Sequence, residues 1–107
     1  MDKLGKIEKL VKKGKADKLA AMTHGTDKEI RIAAISGLEK LIENEAALNC
    51  LVGLMEDADA DVRKAAVSAL GAASGSYVET RLRYCLGHEN DGAVLEAAAA
   101  SLAKMGK

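Results

Sequence analysis

Apolar residues recur along the chain at alternating intervals of three and four, the period of a helix that buries one face. Leu4, Ile7, Leu10 and Val11 mark the first stripe, with Lys3, Lys6, Lys9, Lys12 and Lys13 between them. They predict a helix over 2–13, ended by Gly14. Ala16, Leu19, Ala20 and Met22 predict a short helix at about 15–24. Thr26-Asp27-Lys28-Glu29 has the spacing of a capping box and opens a helix that runs to about Glu43. Asn44 stands where a cap belongs for the next helix, about 45–56, with Ala47, Cys50, Leu51, Leu54 and Met55 on its apolar side. Helices over about 60–73, 77–87 and 92–105 complete the series, the second of them opened by Ser76 and Glu79 as another capping box. Polar loops separate them, and no strand-like alternation appears. The chain reads as all-α.

The pattern also repeats itself. The run Asp59-Ala60-Asp61-Val62-Arg63-Lys64-Ala65-Ala66-Val67-Ser68-Ala69-Leu70-Gly71 has one echo upstream from Asp27 and another downstream from Asp91. Asp27, Asp59 and Asp91 recur at a spacing of 32, as do Ile30, Val62 and Val94, and Leu38, Leu70 and Leu102. A period of this length marks helix pairs that cannot bury their stripes alone and share a core by stacking. The organisation that follows is one domain over 1–107: a leading helix at 2–13, then repeats at about 15–43, 45–73 and 76–106.

The run Asp-x-x-Val/Ile-Arg-x-Ala-Ala-x-x-x-Leu resembles the second helix of a HEAT repeat. The likeness holds at Asp59, Val62, Arg63, Ala65, Ala66, Leu70 and Gly71, and at Asp27, Ile30, Arg31, Ala33, Ala34 and Leu38; Leu95 replaces the Arg in the third unit. The resemblance implies a right-handed α-solenoid of about three helix–turn–helix repeats plus an N-terminal helix. It also implies a ladder of Asp27, Arg31, Asp59 and Arg63 joining successive repeats. A helical wheel puts Val62, Ala66, Ala69, Leu70 and Ala73 in the core and Arg63, Lys64, Val67, Ser68 and Gly71 opposite. The aligned positions are Arg31, Ile32, Ile35, Ser36 and Glu39 in the first unit, and Leu95, Glu96, Ala99, Ala100 and Ala103 in the third. These predict a concave surface with an apolar seam of Ile32, Ile35, Val67 and Leu95, rimmed by Arg31, Glu39, Arg63, Lys64 and Ser68, that takes a protein or peptide. The competing account has the same side chains filling the gaps between adjacent repeats.

Composition narrows the function classes. Sixteen basic residues balance sixteen acidic ones, so no net field favours nucleic acid or a membrane surface. Seven Lys among the first 18 residues carry no interleaved Arg or aromatic residue and read as a solvated face. With no Phe or Trp and only two Tyr, the core must rest on Leu, Ile, Val, Ala and Met. No secretory signal or spanning stretch is visible, which predicts a soluble, cytoplasmic setting. Cys50 and Cys85 lie on apolar faces and read as buried structural thiols. His24, Glu56 and His88 recur at 32-residue spacing, but packed helices lie roughly 10 Å apart while zinc ligands bind at about 2 Å, so adjacent rungs would not share an ion. No metal, cofactor or catalytic residue is predicted. The last helix is poor in charge nearly all round, which suggests weak end-to-end pairing with a second copy. The reading is a non-enzymatic interaction module; the alternative implied by the resemblance is a lyase- or chaperone-like accessory subunit of an enzyme.

Overall fold

In a computed structural model, which describes residues 2–106, the chain forms seven helices. They are α1 (Lys3–Lys12), α2 (Ala16–Met22), α3 (Lys28–Glu39), α4 (Glu45–Leu54), α5 (Ala60–Leu70), α6 (Ser76–His88) and α7 (Gly92–Met105). None is long and apolar enough to cross a membrane. The helices fall where the periodicity places them, but α3 and α5 end earlier, at Glu39 and Leu70 rather than near 43 and 73. The amides that follow bond carbonyls three residues back, Lys40 to Gly37 and Leu41 to Leu38, then Gly71 to Ser68, Ala72 to Ala69 and Ala73 to Leu70. Each helix therefore closes in a tight 3₁₀-type turn.

Five of the seven helix starts described share one device. Asp2, Asp27, Asn44, Asp59 and Asp91 each accept a backbone N–H of the first turn through the side chain, which satisfies an otherwise orphaned donor. The four carboxylates also suit the positive end of the helix dipole. Two expected caps are corrected by this. Asp27, not Thr26, caps α3, and α6 starts at Ser76 itself after Gly75, with no side-chain cap. Gly75 (φ 104°) and Gly14 (φ 68°) occupy the left-handed region that L side chains avoid, and Gly14 ends α1 as expected.

Two layers result. One holds α1, α3, α5 and α7 side by side; the other holds α2, α4 and α6, each leading into the second helix of its pair. The stack measures 41 × 26 × 17 Å. Its core runs unbroken through Leu19, Leu38, Leu51, Val62, Leu70, Leu82 and Val94. α5 and α7 meet closely just past the end of α5. A Cβ on Gly71 would lie 2.7 Å from the Ser101 hydroxyl and 3.2 Å from the Ser101 Cα, so only glycine lets the helices meet there. The Ser101 hydroxyl, itself buried, donates to the Val67 carbonyl at 2.6 Å. In the other layer α2 packs on α4, whereas α4 and α6 make no comparable contact. That gap positions the candidate site.

Candidate functional site

Repeats are joined by arginines, though not through the aspartates expected. Arg31 pairs with Asp57 and donates its Nε to the Thr23 carbonyl. Arg63 grips Glu89 with Nε and Nη2 at 2.9 and 3.0 Å and donates Nη1 to the carbonyls of Asp57 and Ala58. In both cases the acid lies 26 residues on, in the loop of the following repeat. Asp57 and Glu89 also accept the amides of Asp59 and Asp91, which ties the link to the next cap. Asp59, expected in the ladder, caps α5 and joins the preceding repeat through Lys28 at 3.1 Å, not through an arginine. Its neighbour Asp61 meets the same ammonium at 2.6 Å.

These pairings move the ionisations in the expected directions. The hydrogen bond from Arg31 lowers Asp57, and that from Arg63 lowers Glu89, with burial opposing each. Glu89 in turn raises Arg63. Hydrogen bonds with Asp61 and Asp59 raise Lys28. Burial raises the Cys85 thiol, which keeps it protonated and a weak nucleophile. Cys50 is only half-buried and lies 3.5 Å from the Thr23 hydroxyl.

Both tyrosines of the chain stand on one stripe of α6. Tyr77, Arg81, Tyr84 and His88 follow at intervals of four, three and four, which puts them on a single flank of the helix. Tyr77 and Tyr84 are each 56% exposed. The His88 ring stacks on Tyr84 with centroids 3.8 Å apart and planes 12° from parallel, and its Nδ1 bonds the Tyr84 carbonyl at 2.9 Å. The Arg81 guanidinium lies 6.0 Å from the centre of the Tyr84 ring, within cation–π range. Arg81, Tyr84 and His88 face a cleft of 340 Å³ whose other walls are Met55 and Glu56 at the end of α4 and the Arg63–Glu89 pair. The cleft occupies the space that α4 and α6 leave between them. Exposed aromatic rings cost a folded chain without stabilising its core, and Tyr and Arg are the residues that anchor interfaces.

The family model for HEAT repeats matches residues 16–103. The chain belongs to the HEAT repeat family. HEAT repeats generally serve as protein-interaction scaffolds and are typically non-enzymatic. No curated protein and no solved structure gives a match.

Seen as HEAT repeats, the sequence-predicted concave residues separate into three groups. Ile35 and Val67 are fully buried and leave the set of residues that a partner could touch. A wheel drawn on one helix puts them at the edge of the exposed face, but in a stack that edge lies against the next repeat. The counterpart in α7, Ala99, has no further helix beside it among the described residues and is exposed. Arg31 and Arg63 are engaged in the links above, and Ile32, Glu39 and Leu95 are half-buried. Only Lys64 and Ser68 of the predicted set lie in solvent. The open face of the second-helix layer includes Ser36, Lys40, Asp61, Lys64, Ser68, Glu96, Ala99 and Ala100, small or charged, with Ile32 and Leu95 half-buried and without an aromatic anchor. His24, Glu56 and His88 do not act as a row: His88 ends α6 in its stack with Tyr84, and Glu56 turns toward Arg81.

Proposed function

We propose that this HEAT-repeat chain is a non-enzymatic protein-binding module whose contact surface is the flank of α6 and the cleft between α4 and α6. The observation that carries the reading is the placement of Tyr77 and Tyr84. A chain with no Phe and no Trp has its two aromatic residues on one exposed stripe, with Arg81 between them. Two half-exposed rings at a spacing of seven suit a partner helix or extended segment laid along α6. Each ring offers a large contact area at small entropic cost, and the hydroxyl finds a partner at a wet rim. The repeats behind α6 supply rigidity: Cys85, Leu82 and Val78 fasten its opposite face to the core. The open face of the second-helix layer is the weaker candidate, because its polar and small side chains give little area to desolvate. Pairing of two copies through α7 is weaker still, since Ala93, Ala99, Ala100 and Ala103 offer no anchoring ring.

The test is made on the partner recovered by affinity capture from cells that produce the protein and identified by mass spectrometry. Replacing Tyr77 and Tyr84 together by Ala is expected to weaken its binding by ~30-fold or more, the effect of losing about 2 kcal/mol at a hot spot. Because both rings are exposed, the melting temperature stays within a few degrees of the parent. Lys64→Ala with Ser68→Ala is expected to change binding less than about threefold. Loss of binding in that pair, with retention in the tyrosine pair, would return the function to the second-helix face.

A further inference from the structure

We infer that Arg81 is a docking point for a carboxylate side chain, the Asp or Glu of a partner segment that enters the cleft between α4 and α6. The inference rests on the reading of α6 as the contact surface and deepens it by naming the chemistry recognised.

The chain has four arginines, and three are occupied at Nε: Arg31 by the Thr23 carbonyl, Arg63 by Glu89 and Arg83 by Glu79. Arg81 differs. Its Nε is shut off from solvent and meets no acceptor among the described residues. A buried N–H without a partner is uncommon and costs stability, so it calls for an explanation. The nearest carboxylate, Glu56, stands 3.9 Å from Nη2 at the outer limit of an ion pair, with its side chain 80% exposed. It is a loose partner that trades Arg81 for water readily.

The surrounding charges leave Arg81 as the group to be matched. Of the three acids in the cleft wall, Asp57 is held by Arg31 and Glu89 by Arg63, which leaves the loosely placed Glu56 opposite Arg81. The Tyr84 ring lies alongside the guanidinium and limits where it can swing. An arginine presents Nε and Nη2 as a planar fork that fits one carboxylate through two parallel hydrogen bonds, the arrangement Arg63 and Glu89 display one wall away. Docking requires Arg81 to turn its buried Nε edge toward the cleft, where the incoming carboxylate displaces Glu56. Met55 and the Tyr84 ring offer the apolar contact for residues flanking the acid.

The probe is the capped tripeptide Leu-Glu-Leu, with capped Leu-Gln-Leu as its neutral match, titrated into the full chain at constant ionic strength. Proton–nitrogen spectra resolve the arginine Nε–H signals and Tyr84 ring shifts follow the cleft. The expected result is a saturable shift of Arg81 Nε–H and of Tyr84 with the Glu peptide, at least fivefold weaker with the Gln peptide, while Arg63 Nε–H stays still. Glu56→Gln removes the internal competitor and is expected to tighten the Glu peptide two- to fivefold. Arg81→Lys keeps the charge but loses the fork and is expected to abolish the Tyr84 response. Equal response to both peptides, an unchanged affinity in Glu56→Gln, or full binding by Arg81→Lys would each overturn the assignment. The broader reading is judged separately. If the tripeptides fail while the tyrosine pair still controls capture of the protein partner, the carboxylate site falls and the α6 surface stands.

Discussion

Val67→Asp yields no cooperatively folded protein at pH 7. Val67 has no exposed surface, and its carbonyl accepts the Ser101 hydroxyl where α5 and α7 meet closely. A carboxylate placed there is cut off from water, and Arg63, one turn back on α5, is already held by Glu89. Burying an unpaired charge costs several kcal/mol or more, against a total stability of about 5–15 kcal/mol for a domain of this kind. The loss should show as a missing thermal transition by circular dichroism. Lys64→Asp, three residues away on the exposed side of the same helix, is expected to melt within a few degrees of the parent. A Val67→Asp variant that melts like Lys64→Asp would mean that α7 does not cover α5, and the stacked arrangement would be wrong.

Arg63→Met has the second-largest effect. Removing the guanidinium strands Glu89, whose side chain is only 8% exposed, and frees the carbonyls of Asp57 and Ala58. An ionised carboxylate left without its partner in such a site costs about 2–3 kcal/mol, or roughly 10–20 °C in melting temperature for a chain of this length. Glu89→Gln is milder, about 1 kcal/mol, because the amide oxygen can still accept from Arg63, and the guanidinium, more exposed than Glu89, keeps the carbonyls of Asp57 and Ala58. The sign of the pH dependence follows from the lowered Glu89. A carboxylate depressed in the folded state contributes stability above its ordinary value of 4.5, and that contribution is lost as pH falls through the folded value. In Arg63→Met the unpaired Glu89 binds its proton more readily, so the gap between parent and variant is widest near pH 7 and closes as pH falls through the lowered value of Glu89 in the parent. Denaturant unfolding of both proteins across this range checks the prediction. A gap independent of pH would show that Arg63 acts through packing of its stem and not through its charge.

Much of this architecture was legible because it is periodic. A 32-residue repeat of Asp, β-branched residue and Leu is visible without coordinates, and the helices lie within a few residues of where their apolar spacing puts them. What could not be read concerns neighbours in space. The wheel for α5 is right that Val62, Ala66 and Leu70 are buried, and wrong about Val67 and Gly71, which are buried as well and meet Ser101 of the next repeat. One helix wheel has no place for a third body. The ladder is right in its arginines and wrong in their partners, because an Asp engaged in capping its own helix start is a poorer partner than an acid delivered by the following loop. The surface now favoured left a faint trace in the sequence. Tyr77 and Tyr84 were conspicuous as the only aromatic residues, and their spacing of seven already put them on one side of a helix. The repeat itself hid the rest. Alignment at 32 sets α6 level with α4, but the buried Leu82 and Cys85 of α6 match Leu51 and Leu54 of α4 at 31, and α6 presents its stripe in its own register.

The claim that α6 carries the contact surface is tested most directly by a photoreactive benzoylphenylalanine placed singly at position 77 or position 64 in the producing cells. Tyr77 and Lys64 are both exposed, and they lie on different layers of the stack. Irradiation is expected to join the captured partner to position 77 and to leave position 64 unlinked. Adducts of the same partner at position 64, with none at position 77, would contradict it.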